Sequence, residues 1–510
     1  MSDKKADPGR APPAGEARTG RHKNRPSIWV STTYFAEGFP YSIVNTLAEV
    51  MFKEFGASLQ AIGMTSLFHL PWNIKFLWGP LLDGFATRRG WLIGLEVPIA
   101  LVLVLMALAA PLGASLTLIS VLFVALAFLS ATHDIAIDGY YLAALDKKEQ
   151  SEYVGLRAFA YRMAMWAISA GALLILPTVG WAGVYFACAA VVGLLCVFHA
   201  LVLPRAEVAR RPLSALGTWL DARRLGFAAL AFLAFLLLRA LYSSAPVQEF
   251  ITTLHARIPA LAKVSTSAWI AIVLLLVLTL LLANLGRIRN ALREKDSFYL
   301  SAFVDFLDQD RVGFILAFVV FFRAGESFVL KMRYAFLRDI GMTPEQFGLA
   351  AGTVGLWASI GATMVGGWLI AKRGLRPWIW PFVISQNVLN LLYMVLALWH
   401  DARARAGGGP VPEWALFGVV GTEAFGAGLG TAVFMVYLMR CCRPAYKAAH
   451  MAILTALMSL SFTFAGVLSG FLADALGFSV YFGFSFLASV PAMALIPFIP
   501  HLDEDFEAKR

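Results

Sequence analysis

The sequence predicts an all-α polytopic membrane protein: two six-helix bundles with two further helices between them, about fourteen spans in all. Three observations carry this. Of the 510 residues 59% are hydrophobic and only 15% charged, with mean hydropathy +0.71, whereas a soluble chain of this length needs far more surface charge. Apolar runs long enough to cross a bilayer recur along almost the whole chain, continuous and not alternating, which excludes an outer-membrane barrel. The charge lies mostly between these runs, with Lys and Arg concentrated on alternate loops.

Residues 1–27 are rich in Pro, Gly, Ala and Arg and lack the apolar core of a signal peptide, so they read as a disordered cytoplasmic tail. The first bundle, 28–203, holds spans at about 28–50, 60–83, 91–110, 117–142, 153–178 and 182–203. A basic linker over 204–312 carries Arg205, Arg210, Arg211, Arg223 and Arg224 and two inserted spans at about 226–243 and 266–286. These two are Leu- and Ala-rich with few polar groups, and are expected to pack outside any transport path. Near 297–310, Phe298, Ala302, Phe303, Phe306 and Leu307 share one helix face with Asp305 and Asp308 opposite, as in an interfacial helix. The second bundle, 313–500, holds spans at about 313–337, 346–371, 377–399, 415–440, 448–473 and 477–499, and 501–510 is a second cytoplasmic tail.

With both termini inside, the inner loops collect Arg88, Arg89, Lys147, Lys148, the linker arginines, Lys372, Arg373, Arg440, Arg443 and Lys447. The outer loops keep Lys53, Arg257, Lys263, Arg338, Arg403 and Arg405. The net charge of +10 is this topogenic excess and not a nucleic-acid footprint. Cys188, Cys196, Cys441 and Cys442 have neither metal nor disulfide spacing. No nucleophile–base pair, metal cluster or phosphate loop stands out, so no cofactor is expected and an acyltransferase is the weaker alternative. Two six-span halves joined by a basic connection suggest a major-facilitator architecture with cargo bound between the halves. Gly348/Gly352, Gly426/Gly430 and Gly466/Gly470 read as ordinary close helix packing.

Charge inside a span is costly and marks a bundle interior or a water path. Asp134 and Asp138, at i and i+4, share one face of the fourth span. Glu37 precedes Gly38 and Pro40, where the first helix is expected to kink. These three, with Glu326 and Glu423, are the candidate proton carriers. Arg323 and Glu326, three residues apart, either neutralise each other or serve the cargo, while Glu423 has no sequence-local partner. Lys331 and Arg333 either draw an anion inward or snorkel. Gln386, Asn387, Asn390 and Tyr393 are placed to hydrogen-bond a sugar or amide, Trp72 and Tyr161 to stack on a sugar or fill the core, His69 and His133 to titrate or pack. Lys75-Phe-Leu-Trp-Gly-Pro-Leu-Leu-Asp83, followed by Arg88 and Arg89, reads as a gating loop whose Asp83 releases a partner during rocking.

A narrower resemblance runs through six spans. Phe35-Ala-Glu-Gly-Phe-Pro, the Lys75–Asp83 stretch, His133-Asp-Ile-Ala-Ile-Asp-Gly, Tyr161-Arg162, Phe322-Arg-Ala-Gly-Glu-Ser-Phe and Glu423-Ala-Phe-Gly-Ala-Gly-Leu-Gly-Thr resemble the AmpG muropeptide permeases. The resemblance implies a monomeric, proton-coupled importer in the bacterial inner membrane, taking up anhydro-muropeptides released from peptidoglycan. Lys75, Arg162 and Arg323 are then candidate binders of an anionic cargo. The same motifs are also similar to acetyl-CoA transporters, which keeps that class of cargo open. The chain departs from the family at His133, where the motif has Gln, at Glu37, where a small residue is common, and in the inserted pair. Asp134 and Arg162 each lie 14 residues from Lys148, at the middle of the loop between the fourth and fifth spans, which sets them at one depth. The same count sets Asp138 beside Arg157. Because Arg162 falls on the family motif, Asp134 and Arg162 are expected to approach each other.

Overall fold

The structure, a computed structural model, describes residues 25–205 and 298–503 apart from breaks at 76–77, 80–81, 83–84, 113–114 and 444–445, together with Ala245–Arg257 and a few isolated positions. The expected spans at 226–243 and 266–286, most of both tails, and Asp83 lie outside the described residues.

The described first half comprises α1 (26–54), α2 (59–74), α3 (Arg88–Ala109), α4 (Leu116–Ala144), α5 (147–179) and α6 (181–202). The second comprises α7 (Val312–Asp339), α8 (Pro344–Arg373), α9 (Arg376–Arg405), α10 (Glu413–Arg440), α11 (447–476) and α12 (478–495). Among the described residues, eight stretches are long and apolar enough to cross a membrane. Two of these, Lys148–Val202 and His450–Leu495, are broken by left-handed glycines, Gly180 at φ 65° and Gly477 at φ 71°, and supply two rods each. Capping boxes open α5 (Asp146 with Glu149) and α8 (Thr343 with Gln346).

Several rods are interrupted where function is expected. Pro40 sits inside α1, and Ile43–Leu47 after it winds as a π turn. α1 then runs on to Glu54, past the expected end at 50, so Glu49 lies within the bundle and not at its rim. α2 tightens to a 3₁₀ turn over Thr65–His69. α7 breaks at Arg323 (φ −98°, ψ 5°), and π turns occupy Ala167–Ala172 of α5 and Gly348–Gly355 of α8.

In the first half α1 packs on α4 and α5, and α3 on α4 and α6; in the second, α7 packs on α11 and α12, and α9 on α10 and α12. The halves meet along α2–α11 and α5–α8. A Cβ at Gly63 would stand 2.9 Å from Gly470 N, and one at Gly352 2.7 Å from Ala170 N. Two of the three glycine pairs therefore join the halves, which local packing does not anticipate. Gly426 and Gly430 seat α10 on Ser385 and Gln386 of α9.

The helix Phe298–Leu307 docks by its apolar face on the second half. Phe306 and Leu307 are buried in the second-half core. Its acidic face is held as well: Asp305 pairs with Arg443 at 2.7 Å and lies 3.4 Å from His450.

Candidate functional site

Between the halves lies a cavity of about 500 Å³, within the size range of small-molecule sites. α1 contributes Tyr41, Asn45 and Glu49, α2 contributes Thr65 and His69, α7 contributes Arg323, Glu326, Lys331 and Arg333, and α10 contributes Glu423. The interruptions in α1, α2 and α7 aim these side chains inward from otherwise apolar helices.

Its charges are arranged in pairs. The Arg323 guanidinium grips Glu326 with two bonds of 2.6 and 3.0 Å, and Gln386 donates to the same carboxylate at 3.1 Å. Arg333 stands 3.6 Å from Glu423. Lys331 donates to Thr65 at 2.6 Å and lies 3.9 Å from Glu49, so it reaches across from the second half to the first. Three carboxylates thus face three cations, and the fixed charge of the cavity balances. His69 also joins the halves, with Asn45 at 3.0 Å on Nδ1 and Ser459 at 2.7 Å on Nε2. Behind it, Tyr41 packs edge-on to Trp72 (5.1 Å between centroids) and tilted to Tyr161 (5.7 Å).

A second polar cluster lies within the first half. Lys75 donates to Asp134, and Glu37 faces the same carboxylate. Asp138 accepts from the Tyr34 hydroxyl at 2.8 Å and lies 3.4 Å from Arg157, whose guanidinium covers the Tyr34 ring. Among the described residues three carboxylates here share two cations, Asp134 being buried while Asp138 and Arg157 stay partly exposed.

At the end of the bundle away from residues 26 and 312, the halves are tied again. Arg338 donates to Glu54 at 2.6 Å, Tyr334 to Glu54 at 2.7 Å, and Lys53 to Asp339 at 2.6 Å.

Of the expected site residues, Arg323, Glu326 and Glu423 line the cavity, and Lys331 and Arg333 point into it and do not snorkel. Gln386 and Asn390 do not line it; both are buried behind the wall, where Gln386 orients Glu326. Trp72 reaches it through Tyr41 and His69, and Tyr161 through Tyr41. The expected Asp134–Arg162 contact is not formed. Helix rotation turns Asp134 toward Lys75 of α2, while Arg162 remains half-buried and off the cavity lining. The depth count does match Asp138 with Arg157. In the gating loop, Arg89 caps the end of α6 by donating to Ala200 and Leu203 carbonyls, within its own half, and Arg88 lies over Gly139. Glu49 and Asn45 escaped the sequence reading: closing the first span at residue 50 set Glu49 at its rim, and Asn45 carries no charge to single it out. The unbroken Val50-Met51-Phe52 after Glu49 is the signal that extends it.

A family model described as Major Facilitator Superfamily matches residues 30–307, more than half of the chain. A Haemophilus influenzae protein named only as uncharacterized is 25% identical over 489 residues, covering 93% of this chain and 94% of its own length. The anhydromuropeptide permease of Escherichia coli K12 is 24% identical over 470 residues, 91% of this chain and 77% of its own. In fold, the chain is similar to the peptide transporter POT solved with alafosfalin, with a TM-score of 0.65 at 12% identity over 96% of this chain and 97% of the other. The broken helices, the cavity between paired halves and these matches agree: the chain is a multi-pass membrane transporter belonging to the major facilitator superfamily, as an AmpG-like member.

Proposed function

We propose that this transporter imports peptidoglycan-derived anhydro-muropeptides across the bacterial inner membrane, driven by protons, with both termini cytoplasmic and bundles spanning 28–203 and 313–500. The observation that carries the reading is the division of charge between the two clusters. The cavity holds Arg323, Lys331 and Arg333, each already matched to a carboxylate of the protein. A cargo carrying its own carboxylates displaces Glu326, Glu423 or Glu49 from these cations, and the Tyr41–Trp72–Tyr161 group offers flat apolar faces for a sugar ring. The described residues of the first-half cluster hold one carboxylate more than cations, with Asp134 buried at its centre, and in this reading the cluster binds the proton. When Asp134 is protonated it releases Lys75 and loosens α2 from α4; when it gives the proton up, the pair re-forms. The Glu54–Arg338 and Lys53–Asp339 ties close the periplasmic end in the conformation described, and rocking of the halves breaks them.

The test is uptake of labelled anhydro-muropeptide and of acetyl-CoA into the same proteoliposomes, with and without an imposed pH gradient. Accumulation of the muropeptide alone, abolished by an uncoupler, supports the reading. Accumulation of acetyl-CoA alone, or uptake indifferent to the gradient, overturns it.

A further inference from the structure

Glu96 of α3, His133 of α4 and His199 of α6 meet inside the first half, apart from the cavity and from the Asp134 cluster. All three are fully buried, each at 1% exposure or less. The His199 Nδ1 lies 2.6 Å from Glu96 Oε1, and His133 Nε2 lies 3.6 Å from the same oxygen. Glu96 Oε2, His199 Nε2 and both nitrogens of His133 have no hydrogen-bond partner. A carboxylate carrying its charge alone here is strongly destabilising, and a 2.6 Å nitrogen–oxygen separation is that of a charge-assisted bond. Little else around the cluster supplies a countercharge. On α6, Cys196 donates its thiol to the Ile93 carbonyl. On α3 the nearest cation along the helix is Arg89, seven residues before Glu96, and it is engaged with the Ala200 and Leu203 carbonyls.

We propose that Glu96, His133 and His199 form a proton-binding site within the first bundle, and that its charge acts on Asp134, the next residue along α4. The proton resides on His199, paired with the Glu96 carboxylate. His133, within a small shift of the same oxygen, supplies a second position for it. Successive residues on a helix point about 100° apart, so α4 presents this site on one face and Asp134 with Lys75 on another. Two charges that close in a bundle interior are felt by each other. His133, Glu96 and His199 act on the cargo only through Asp134 and are positioning residues for it. That link rests on the reading of Asp134 as the proton carrier; the site itself does not.

The test has two arms. Protein carrying ¹⁵N-imidazole histidine, reconstituted in bilayers, has eight histidines, and His133→Gln and His199→Gln assign the two rings by loss of signal. At pH 7 both nitrogens of His199 are expected to carry protons in the unsubstituted protein, and Glu96→Gln is expected to abolish that state. A neutral His199 in the unsubstituted protein, or one unchanged by Glu96→Gln, overturns the site. In the second arm, Glu96→Gln, which abolishes the Glu96–His199 ion pair, displaces the pH profile of uptake by about one pH unit, with the amount of folded protein unchanged. An unmoved profile beside a changed histidine spectrum overturns the link to Asp134 and leaves the proton reading of Asp134 standing. Should Glu96→Gln fail to fold, Glu96→Asp retains the charge and restores the histidine signature, and His199→Gln carries the transport arm.

Discussion

Lys75 decides what Asp134 can do. It comes from α2, just beyond the 3₁₀ turn, and holds Asp134 of α4 while Glu37 of α1 faces the same carboxylate. Removing one partner of a buried pair strands the other and costs about 3–5 kcal/mol; Lys75 keeps 32% of its side chain exposed, so the lower end applies. Lys75→Met is therefore expected to lower the thermal midpoint of the detergent-solubilised protein, and Lys75→Met with Asp134→Leu to recover much of it. In proteoliposomes, Asp134→Asn is expected to lose gradient-driven accumulation while keeping solute counterflow, since exchange needs no net proton. Arg162→Gln is expected to leave both within about threefold, a change of some 0.7 kcal/mol, because Arg162 lies off the cavity lining. Arg323→Gln is expected to lose both. If Arg162→Gln abolishes counterflow instead, the assignment of cargo-binding cations is wrong. The depth of Asp134 and Asp138 was readable from the hairpin count, and so was the match of Asp138 to Arg157. The rotation of α4, and hence the choice of Lys75 over Arg162, was not, because periodicity within one helix carries nothing about which neighbour it faces.

At the scale of elements, the spacing of Gly348 and Gly352 shows that something approaches closely, but not what. The structure supplies the partner: the π turn of α5, with Ser169 O 3.0 Å from a Cβ at Gly348. Backbone cannot yield as a flexible side chain can, so a side chain at Gly352 holds the halves apart at α5–α8. Gly352→Leu is expected to cut transport at least tenfold while the protein still folds and inserts, since one core around Trp29, Leu92 and Tyr140 lies wholly in the first half and one around Phe318, Phe322 and Phe434 wholly in the second. Normal transport by this variant would mean that the α5–α8 approach is no part of the cycle. A second seam is the tie of α1 to α7 through Glu54, Arg338 and Tyr334. Glu54→Gln leaves Arg338 without its carboxylate, and is expected to raise the labelling rate of a cysteine placed at Asn45 by a thiol reagent added from the periplasmic side. An unchanged rate would show that this tie does not close the cavity. The interruptions themselves were partly legible. Pro40 announced a kink, whereas the π and 3₁₀ turns of α2, α5 and α8 follow from packing between helices and leave no local signature.

For the whole molecule, the ion pairs decide a question of direction. α1 ends at Glu54 and α7 ends near Asp339, and Lys53–Asp339 with Glu54–Arg338 bring those two ends together. The two helices therefore run the same way through the bundle. Six rods lie from α1 to α6, so α6 returns the chain to the end where α1 began, and α7 starts from that same end. A linker with an inserted pair of spans meets this condition, and one with a single span does not. The sequence had supplied the same parity from Lys and Arg alone, because an even insertion leaves every later loop on its expected side. Orientation relative to the cell comes only from that charge. The turn at 406–412 between α9 and α10 is flanked by Arg403 and Arg405, whereas the shorter turn joining α8 to α9 is flanked by Lys372, Arg373 and Arg376. A periplasm-dependent reporter inserted at Gly408 is accordingly expected to be active, and the same reporter after Arg373 or after Arg510 to be silent. Activity after Arg510 with silence at Gly408 inverts the molecule. The tied end would then face the cytoplasm, the cavity would open outward, and the conformation described would be the one that receives cargo and not the one that releases it.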